Sequence, residues 1–345
     1  MRHSLVRARA PLRLGFGGGG TDVSPYCDEF GGYVLNATIN MFAHVTISRR
    51  TDDQVRLVLA ESETVWQGPA VPQLNTDGPH KLLAGVYNRF VRDYNGGEPI
   101  SLTIVTYADS PPGAGLGSSS GLVVALTEAM RYLLNVPLSR YEIARLAYEI
   151  ERIDLGLAGG RQDQYAAAFG GVNFMEFYGG ERTLMNPLRL ESPVQHELES
   201  SLVLYFTGVS RESAHIIEQQ SDNMRKHNKV SIDALHALKA GATEMKEALL
   251  LGQFDRFAEV LNQSWEEKKR TAGGISTGDI DKVYKAALKA GAKGGKVSGA
   301  GGGGFMMFLC DPARREELMR CLRTFGGLAT TSQLTFQGVE AWRLR

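Results

Sequence analysis

The polar residues best suited to chemistry stand beside glycine-rich runs. Arg13 precedes Gly15-Phe-Gly-Gly-Gly-Gly20, Thr21 and Asp22 follow it, Ser118, Ser119 and Ser120 close a second run, and Asp163 follows Gly159-Gly160. The central run is Pro111-Pro-Gly-Ala-Gly-Leu-Gly-Ser-Ser-Ser-Gly121, between a strand ending near Tyr107 and a helix beginning near Gly121. Without side chains at Gly113, Gly115 and Gly117, backbone N–H groups can approach an anion, and the following helix aims its free N–H groups and positive dipole end at the same point. Pro111, Ala114 and Leu116 complete this phosphate cradle, and the three serines add hydroxyls, one suited to a phosphate and another to a magnesium ion. A plain helix cap needs one serine and one glycine, not the whole array. The loop is not a Walker A motif, because no Gly-Lys-Ser/Thr follows. Nor is it a dinucleotide fingerprint: Ser118 stands where the third glycine belongs, and no acid lies near residues 133 to 140.

The first glycine run contains a formal GxGxxG from Gly15 to Gly20, but Pro25 and Gly31-Gly32 interrupt any long helix after it. Asp22 suits vicinal hydroxyls, and an Asx turn or helix cap is an equal alternative. The third run, Lys296-Val-Ser-Gly-Ala-Gly-Gly-Gly-Gly304, leads into the apolar strand Phe305 to Leu309, so it reads as a permissive turn or a place of close backbone approach. Taken alone, Asp163 is a loop acid bound to nearby amides and Glu151 an exposed helix carboxylate.

The elements carrying these loops alternate in type. Tyr33 to Asn40, Phe42 to Arg49, Gln54 to Leu59 and Ile100 to Tyr107 read as strands, as do Val172 to Tyr178 and Ser201 to Thr207. Gly121 to Leu134 and Ser139 to Arg152 read as helices, the second opening on a Ser139/Glu142 capping box. Four helices follow, Glu212 to Lys226, Ile232 to Leu250, Phe254 to Lys269 and Ile280 to Leu288, then a helix from Pro312 to Phe325 and a strand near Leu334 to Trp342. The expectation is an α+β protein with two sheets, divided into residues 1–185 and 186–345 near Tyr178 to Pro187. A chain of 345 residues is long enough for two such domains.

Lysine plus arginine and aspartate plus glutamate both total 38, which offers no field for nucleic acid or an anionic membrane and makes anion recognition local. Cys27, Cys310 and Cys321 are odd in number without CxxC spacing, so the expected compartment is reducing and cytoplasmic. No signal peptide or membrane span is expected, and the seven histidines form no metal motif. A homodimer stays open.

In this order the three glycine loops resemble the three motifs of the GHMP kinases, named for galactokinase, homoserine kinase, mevalonate kinase and phosphomevalonate kinase. Pro111 to Gly121 is similar to the family's Pro-x-x-x-Gly-Leu-Gly-Ser-Ser-Ala, with Ser120 in place of alanine. The resemblance implies a domain like ribosomal protein S5 domain 2, a ferredoxin-like second domain, and ATP and Mg2+ bound between them. It implies that Gly18, Gly19, Gly20, Thr21, Asp22, Gly301 and Gly302 lie at the acceptor. It further implies that Asp163 acts on the acceptor hydroxyl with Arg13 stabilising charge, and that Glu151 and Ser119 hold the metal, with Glu149 a competing ligand. Thr21-Asp22 resembles the sugar loop of galactokinases, without its Glu-His. The loop through Asp22, the segment Gly159 to Tyr165, and Trp265-Glu-Glu-Lys-Lys-Arg270 most resemble the heptose 7-phosphate kinases of the family. A sugar phosphate acceptor needs a cationic pocket, which Lys268, Lys269, Arg270 or Arg211 would supply; a solvated basic helix end is the alternative for Lys268 to Arg270. Fucose kinases, an ATP-dependent decarboxylase and a catalytically silent sensor are the other outcomes such a resemblance allows.

Overall fold

The computed structural model describes residues 5–209 and 214–343. The chain opens with strand β1 (Leu5–Gly17), a short helix α1 (Tyr26–Phe30), and strands β2 (Gly32–Arg49), β3 (Gln54–Leu59) and β4 (Thr64–Pro69). Helix α2 (Lys81–Tyr94), strand β5 (Leu102–Ala108), and helices α3 (Ser118–Leu134), α4 (Arg140–Glu149) and α5 (Gln162–Phe169) follow. Strands β6 (Val172–Phe177) and β7 (Thr183–Pro187), helix α6 (Ser192–Ser201) and strand β8 (Leu202–Phe206) lead to helices α7 (Ala214–Arg225), α8 (Lys229–Leu250), α9 (Phe254–Thr271) and α10 (Gly278–Lys289). The chain ends with β9 (Ala292–Val297), β10 (Phe305–Cys310), α11 (Arg315–Arg323), β11 (Leu328–Thr330) and β12 (Glu340–Arg343).

Two sheets form, as expected. The larger runs β12-β1-β2-β5-β3-β4, with β6 and β7 added beside β2, and the smaller runs β11-β8-β10-β9. β7 stays in the first sheet through Pro187, and β12 returns from the far end of the chain to pair with β1.

β1 and β2 join the two layers. Along β1 the even-numbered side chains are buried, but Val6, Ala8 and Ala10 enter one core while Leu12, Leu14 and Phe16 enter another. The change comes at a register shift between Pro11 and Leu12, opposite Ile39 and Phe42. A bulge bends a strand, and proline, lacking an N–H, is tolerated there. The two strands expected on either side of Met41 are therefore one bent strand. The second core draws on both sheets, since Leu12, Leu14 and Phe16 pack with Leu202, Leu204, Phe257, Phe305 and Met307. That shared core fixes the seam where the three glycine loops meet.

The Ser139/Glu142 capping box is present at the start of α4. After Glu149 the helix does not stop but widens into a π turn over Ile150–Asp154, which carries Glu151. α2 braces this turn: Arg89 donates to both Asp154 oxygens (2.8 and 2.9 Å) and to Glu149 Oε2 (2.8 Å). Glu149 is thereby occupied away from the seam.

Candidate active site

Gly113, Gly115 and Gly117 all adopt left-handed backbone (φ 73°, 82° and 77°), which explains why the loop needs glycine at alternate positions. The loop's carbonyls are tied behind it. Phe305 N–H donates to Ala114 O (2.8 Å), Arg13 Nη1 and Ser298 Oγ donate to Gly115 O (2.6 and 2.9 Å), and Arg13 N–H donates to Leu116 O (3.0 Å). A trans peptide points its C=O and the next N–H in opposite directions, so the N–H groups of Gly115, Leu116 and Gly117 turn the other way. α3 begins at Gly117 without a side-chain cap, leaving its first N–H groups open. Ala114 and Leu116 are buried and Pro111 is exposed; none of the three lines the cavity, and they shape the loop from behind.

That cavity, about 540 Å³, is walled by Gly113, Gly115, Gly117 and Ser118 to Ser120 together with Arg13, Gly19, Gly20, Asp22, Glu151, Asp163 and Lys268. Expected residues of the first two loops thus meet in one space, and the third loop reaches it through residues other than those expected. Asp163 sits in the first turn of α5, and Arg13 grips both its oxygens, Nε to Oδ1 at 2.7 Å and Nη2 to Oδ2 at 2.9 Å. The two-pronged pair fixes the carboxylate plane while each oxygen keeps acceptor capacity. Asp22 is held by Gly20 N–H (3.2 Å), Gln162 N–H (3.0 Å) and Gln162 Nε2 (2.9 Å). A Cβ at Gly160 would lie 2.0 Å from Asp22 Oδ2, so glycine there makes room for the carboxylate.

Glu151 is buried, and burial pushes its carboxyl above the usual range. Its oxygens accept from Ser120 Oγ (3.1 Å) and Gln164 Nε2 (2.5 Å). The hydroxyl beside Glu151 is therefore Ser120, whereas Ser119 stands exposed on the cavity wall. Magnesium takes one or two carboxylates plus hydroxyls, water and phosphate oxygens rather than a full protein cage. A buried carboxylate with a serine hydroxyl, opening on a phosphate loop, fits that donor set.

Several expected contacts are not made. Thr21 does not line the cavity; its hydroxyl donates to Gly18 O and Tyr33 O (2.8 and 2.9 Å) and accepts from Tyr33 N–H (3.0 Å), closing the first loop with Gly18. Gly301 and Gly302 pack against Ile275, while their neighbours Gly299 and Ala300 reach the wall. Lys269 pairs with Glu266 (2.7 Å) and Arg270 with Glu267 (2.6 Å) on the outer face of α9, because one turn presents only Lys268 inward. Arg211 lies outside the described residues. Residues missed by the sequence reading are Lys296, Gln162, Gln164, Gln220 and Lys81, all but Gln164 on the wall itself. Burial pushes Lys268 down to about 8 against the opposing pull of Asp22. Burial, with Lys268 and Arg13 nearby, pushes Lys296 down to about 7.

Residues 81–171 match the GHMP kinases N terminal domain and residues 245–327 the GHMP kinases C terminal domain. Over 339 residues the chain is 44% identical to the D-glycero-alpha-D-manno-heptose 7-phosphate kinase of Campylobacter jejuni, covering 98% of this chain and 99% of that one. The chain belongs to the GHMP kinase family. The crystal structure of a D-glycero-D-manno-heptose 1-phosphate kinase from Bacteroides thetaiotaomicron superposes with a TM-score of 0.84 at 43% identity, over 99% of both chains. A galactokinase from Lactococcus lactis shares the fold at a TM-score of 0.75 and 19% identity, over 97% of this GHMP kinase and 95% of that chain. Among the described residues, no helix of this GHMP kinase is long and apolar enough to cross a membrane.

Proposed function

We propose that this GHMP kinase transfers the terminal phosphoryl group of ATP to the anomeric hydroxyl of D-glycero-D-manno-heptose 7-phosphate, giving the 1,7-bisphosphate. The observation that carries the reading is the single cavity in which the phosphate loop faces the Arg13–Asp163 pair, in a chain 44% identical to a heptose 7-phosphate kinase. Phosphoryl transfer asks a protein for alignment and charge neutralisation more than for covalent chemistry. The glycine loop holds the donor phosphates, and Asp163 orients the acceptor hydroxyl and takes its proton. Arg13 carries charge on Asp163 and ties it to the phosphate loop through Gly115 O. Asp22, steadied by Gln162, receives sugar hydroxyls. Glu151 and Ser120 would hold Mg2+, which when bound neutralises phosphate charge. The product belongs to supply of an activated heptose for surface polysaccharide, and the three free cysteines suit a cytoplasmic enzyme.

The test is magnesium-dependent ADP release with heptose 7-phosphate, heptose 1-phosphate, unphosphorylated heptose, fucose and galactose, with phosphorus NMR of the product. Preference for heptose 7-phosphate, with a new anomeric phosphate, is expected. Turnover confined to heptose 1-phosphate would reverse the site of transfer, and turnover confined to a neutral sugar would remove the phosphate from the acceptor.

A further inference from the structure

Two buried ammonium groups on the cavity wall have no part in the steps above. Lys268 comes from the last turn of α9 and Lys296 from β9, and they are 6% and 5% exposed. Among the described residues each makes one hydrogen bond, Lys268 Nζ to Gly19 O (3.1 Å) and Lys296 Nζ to Phe16 O (3.2 Å). An ammonium has three N–H donors, so each has donors to spare. The carboxylate acting on Lys268 is Asp22, which already accepts from Gln162 and Gly20. The charged groups acting on Lys296 are Lys268 and Arg13, both positive, and Arg13 is committed to Asp163. Burying a cation without a full partner is costly, and burying two on one cavity wall is more so. A Cβ at Gly20 would sit 2.9 Å from Lys268 Nζ, so glycine there also keeps the ammonium's surroundings open.

This is the electrostatic form of a site completed by its ligand. A carboxylate would answer one of the two charges. A phosphate monoester, with about −1.5 to −2 charge at neutral pH and three acceptor oxygens, answers both. We propose that Lys268 and Lys296 together seat the phosphate monoester that the acceptor already carries, apart from the glycine loop that holds the donor phosphates. The assignment rests on the reading of the acceptor as a sugar phosphate. It replaces Lys269 of the sequence-expected pocket with Lys296, a residue from the third glycine run. The same chemistry would also fit the transferred phosphate of ATP, and the experiment separates the two sources.

Wild-type enzyme, Lys268→Met and Lys296→Met are compared in three measurements: binding of inorganic phosphate, binding of ADP, and steady-state kinetics with heptose 7-phosphate and unphosphorylated heptose. With ADP filling the glycine loop, each variant is expected to weaken inorganic phosphate binding and to raise the KM for heptose 7-phosphate by about thirty-fold, which is about 2 kcal/mol at 1.4 kcal/mol per decade. The KM for unphosphorylated heptose and the ADP affinity stay within about two-fold, the scatter of independent sites. Removing a buried charge should not unfold the protein, so neither variant is expected to melt earlier than wild type. Lys296→Arg, which keeps the charge, recovers part of the KM. A fall in ADP affinity with an unchanged preference between the sugars would give the seat to the donor and overturn the proposal. An equal rise in both sugar KM values would also overturn it. If wild type binds inorganic phosphate through these lysines but turns over only unphosphorylated sugar, the acceptor assignment fails while the anion seat stands. If wild type prefers heptose 7-phosphate and both variants keep that preference, the seat fails while the function stands.

Discussion

Asp163 is the residue on which turnover should depend most. Asp163→Asn keeps the shape and removes the charge, so kcat is expected to fall by about 10²- to 10⁴-fold, the usual span for a lost general base, with ADP affinity retained. Stopped-flow phosphoryl transfer with a parallel ADP titration checks this, and near-normal turnover would take Asp163 out of the chemistry. The buried lysines predict a pH dependence. In the unfolded chain a lysine keeps its proton to about pH 10.4, whereas Lys268 and Lys296 in the fold lose theirs near 8 and 7. Between those values the unfolded state binds more protons, so stability of the ligand-free protein rises with pH across the window. A bound phosphate reverses this by favouring the charged lysines. Acceptor binding therefore takes up protons, and the KM for heptose 7-phosphate is expected to climb between pH 7 and 9 while ADP affinity does not. Calorimetry in buffers of different ionisation enthalpy reads the uptake directly; its absence would leave the lysines uncoupled from the acceptor. At this scale the sequence was legible where chemistry and glycine coincide, at Arg13, Asp22, Ser118 to Ser120 and Asp163. It was opaque at Lys296, since Ala292-Lys-Gly-Gly-Lys-Val297 has too few strand-forming residues to announce β9, and without a strand there is no inward face.

Two elements hold the cavity carboxylates Glu151 and Asp163 by means other than contact with substrate. The π turn that carries Glu151 is bracketed by Arg89, which grips Glu149 on one side and Asp154 on the other. Arg89→Met would strip Asp154 of this partner and leave Glu149 to Arg145 (2.9 Å), and a loss of about 3 kcal/mol is expected by denaturant unfolding. Activity per folded molecule should fall with it and recover partly at high Mg2+ if the turn sets Glu151; unaltered Mg2+ dependence would confine Arg89 to stability. The start of α3 is equally constrained. Gly117 is left-handed, and a Cβ there would lie 3.3 Å from Asp163 Cγ. Gly117→Ala is expected to cost about 1–2 kcal/mol in backbone strain. It should also lower kcat by about a hundred-fold through displacement of Asp163, a loss that crystallography of the variant can trace to the carboxylate's position. The capping box made α4 readable, but nothing in Ile150-Glu-Arg-Ile-Asp154 distinguishes a π turn from a continuing α-helix. No side-chain cap marks the start of α2, although Leu83, Val86, Tyr87, Phe90 and Val91 recur at helical spacing. α5 is eight residues long, too short for a periodicity to show.

The two sheets share the second core, so the molecule should lose both together. Phe16 of the first sheet meets Phe257 of α9 edge-to-face at 5.5 Å. Phe257→Ala is expected to cost about 3–5 kcal/mol and to lower the melting of both layers in one transition. Fluorescence of Trp265 in the second layer, read with Trp66 and Trp342 replaced by Phe, and circular dichroism of the whole chain would then coincide; separate transitions would show that the layers fold independently. The two-sheet organisation was legible from alternating strand and helix patterns. The path of the chain between layers was not, because the pairing of β12 with β1 joins residues more than three hundred positions apart and leaves no local trace. That pairing sets Val6 opposite Arg343 in neighbouring antiparallel strands, the relation of the two arms of a hairpin. A few linking residues could therefore splice the arms into one, and a cut at the exposed Gly96-Gly97 turn would give a circular permutant whose phosphate loop, Asp163 and lysines arrive in the same places from a different starting point.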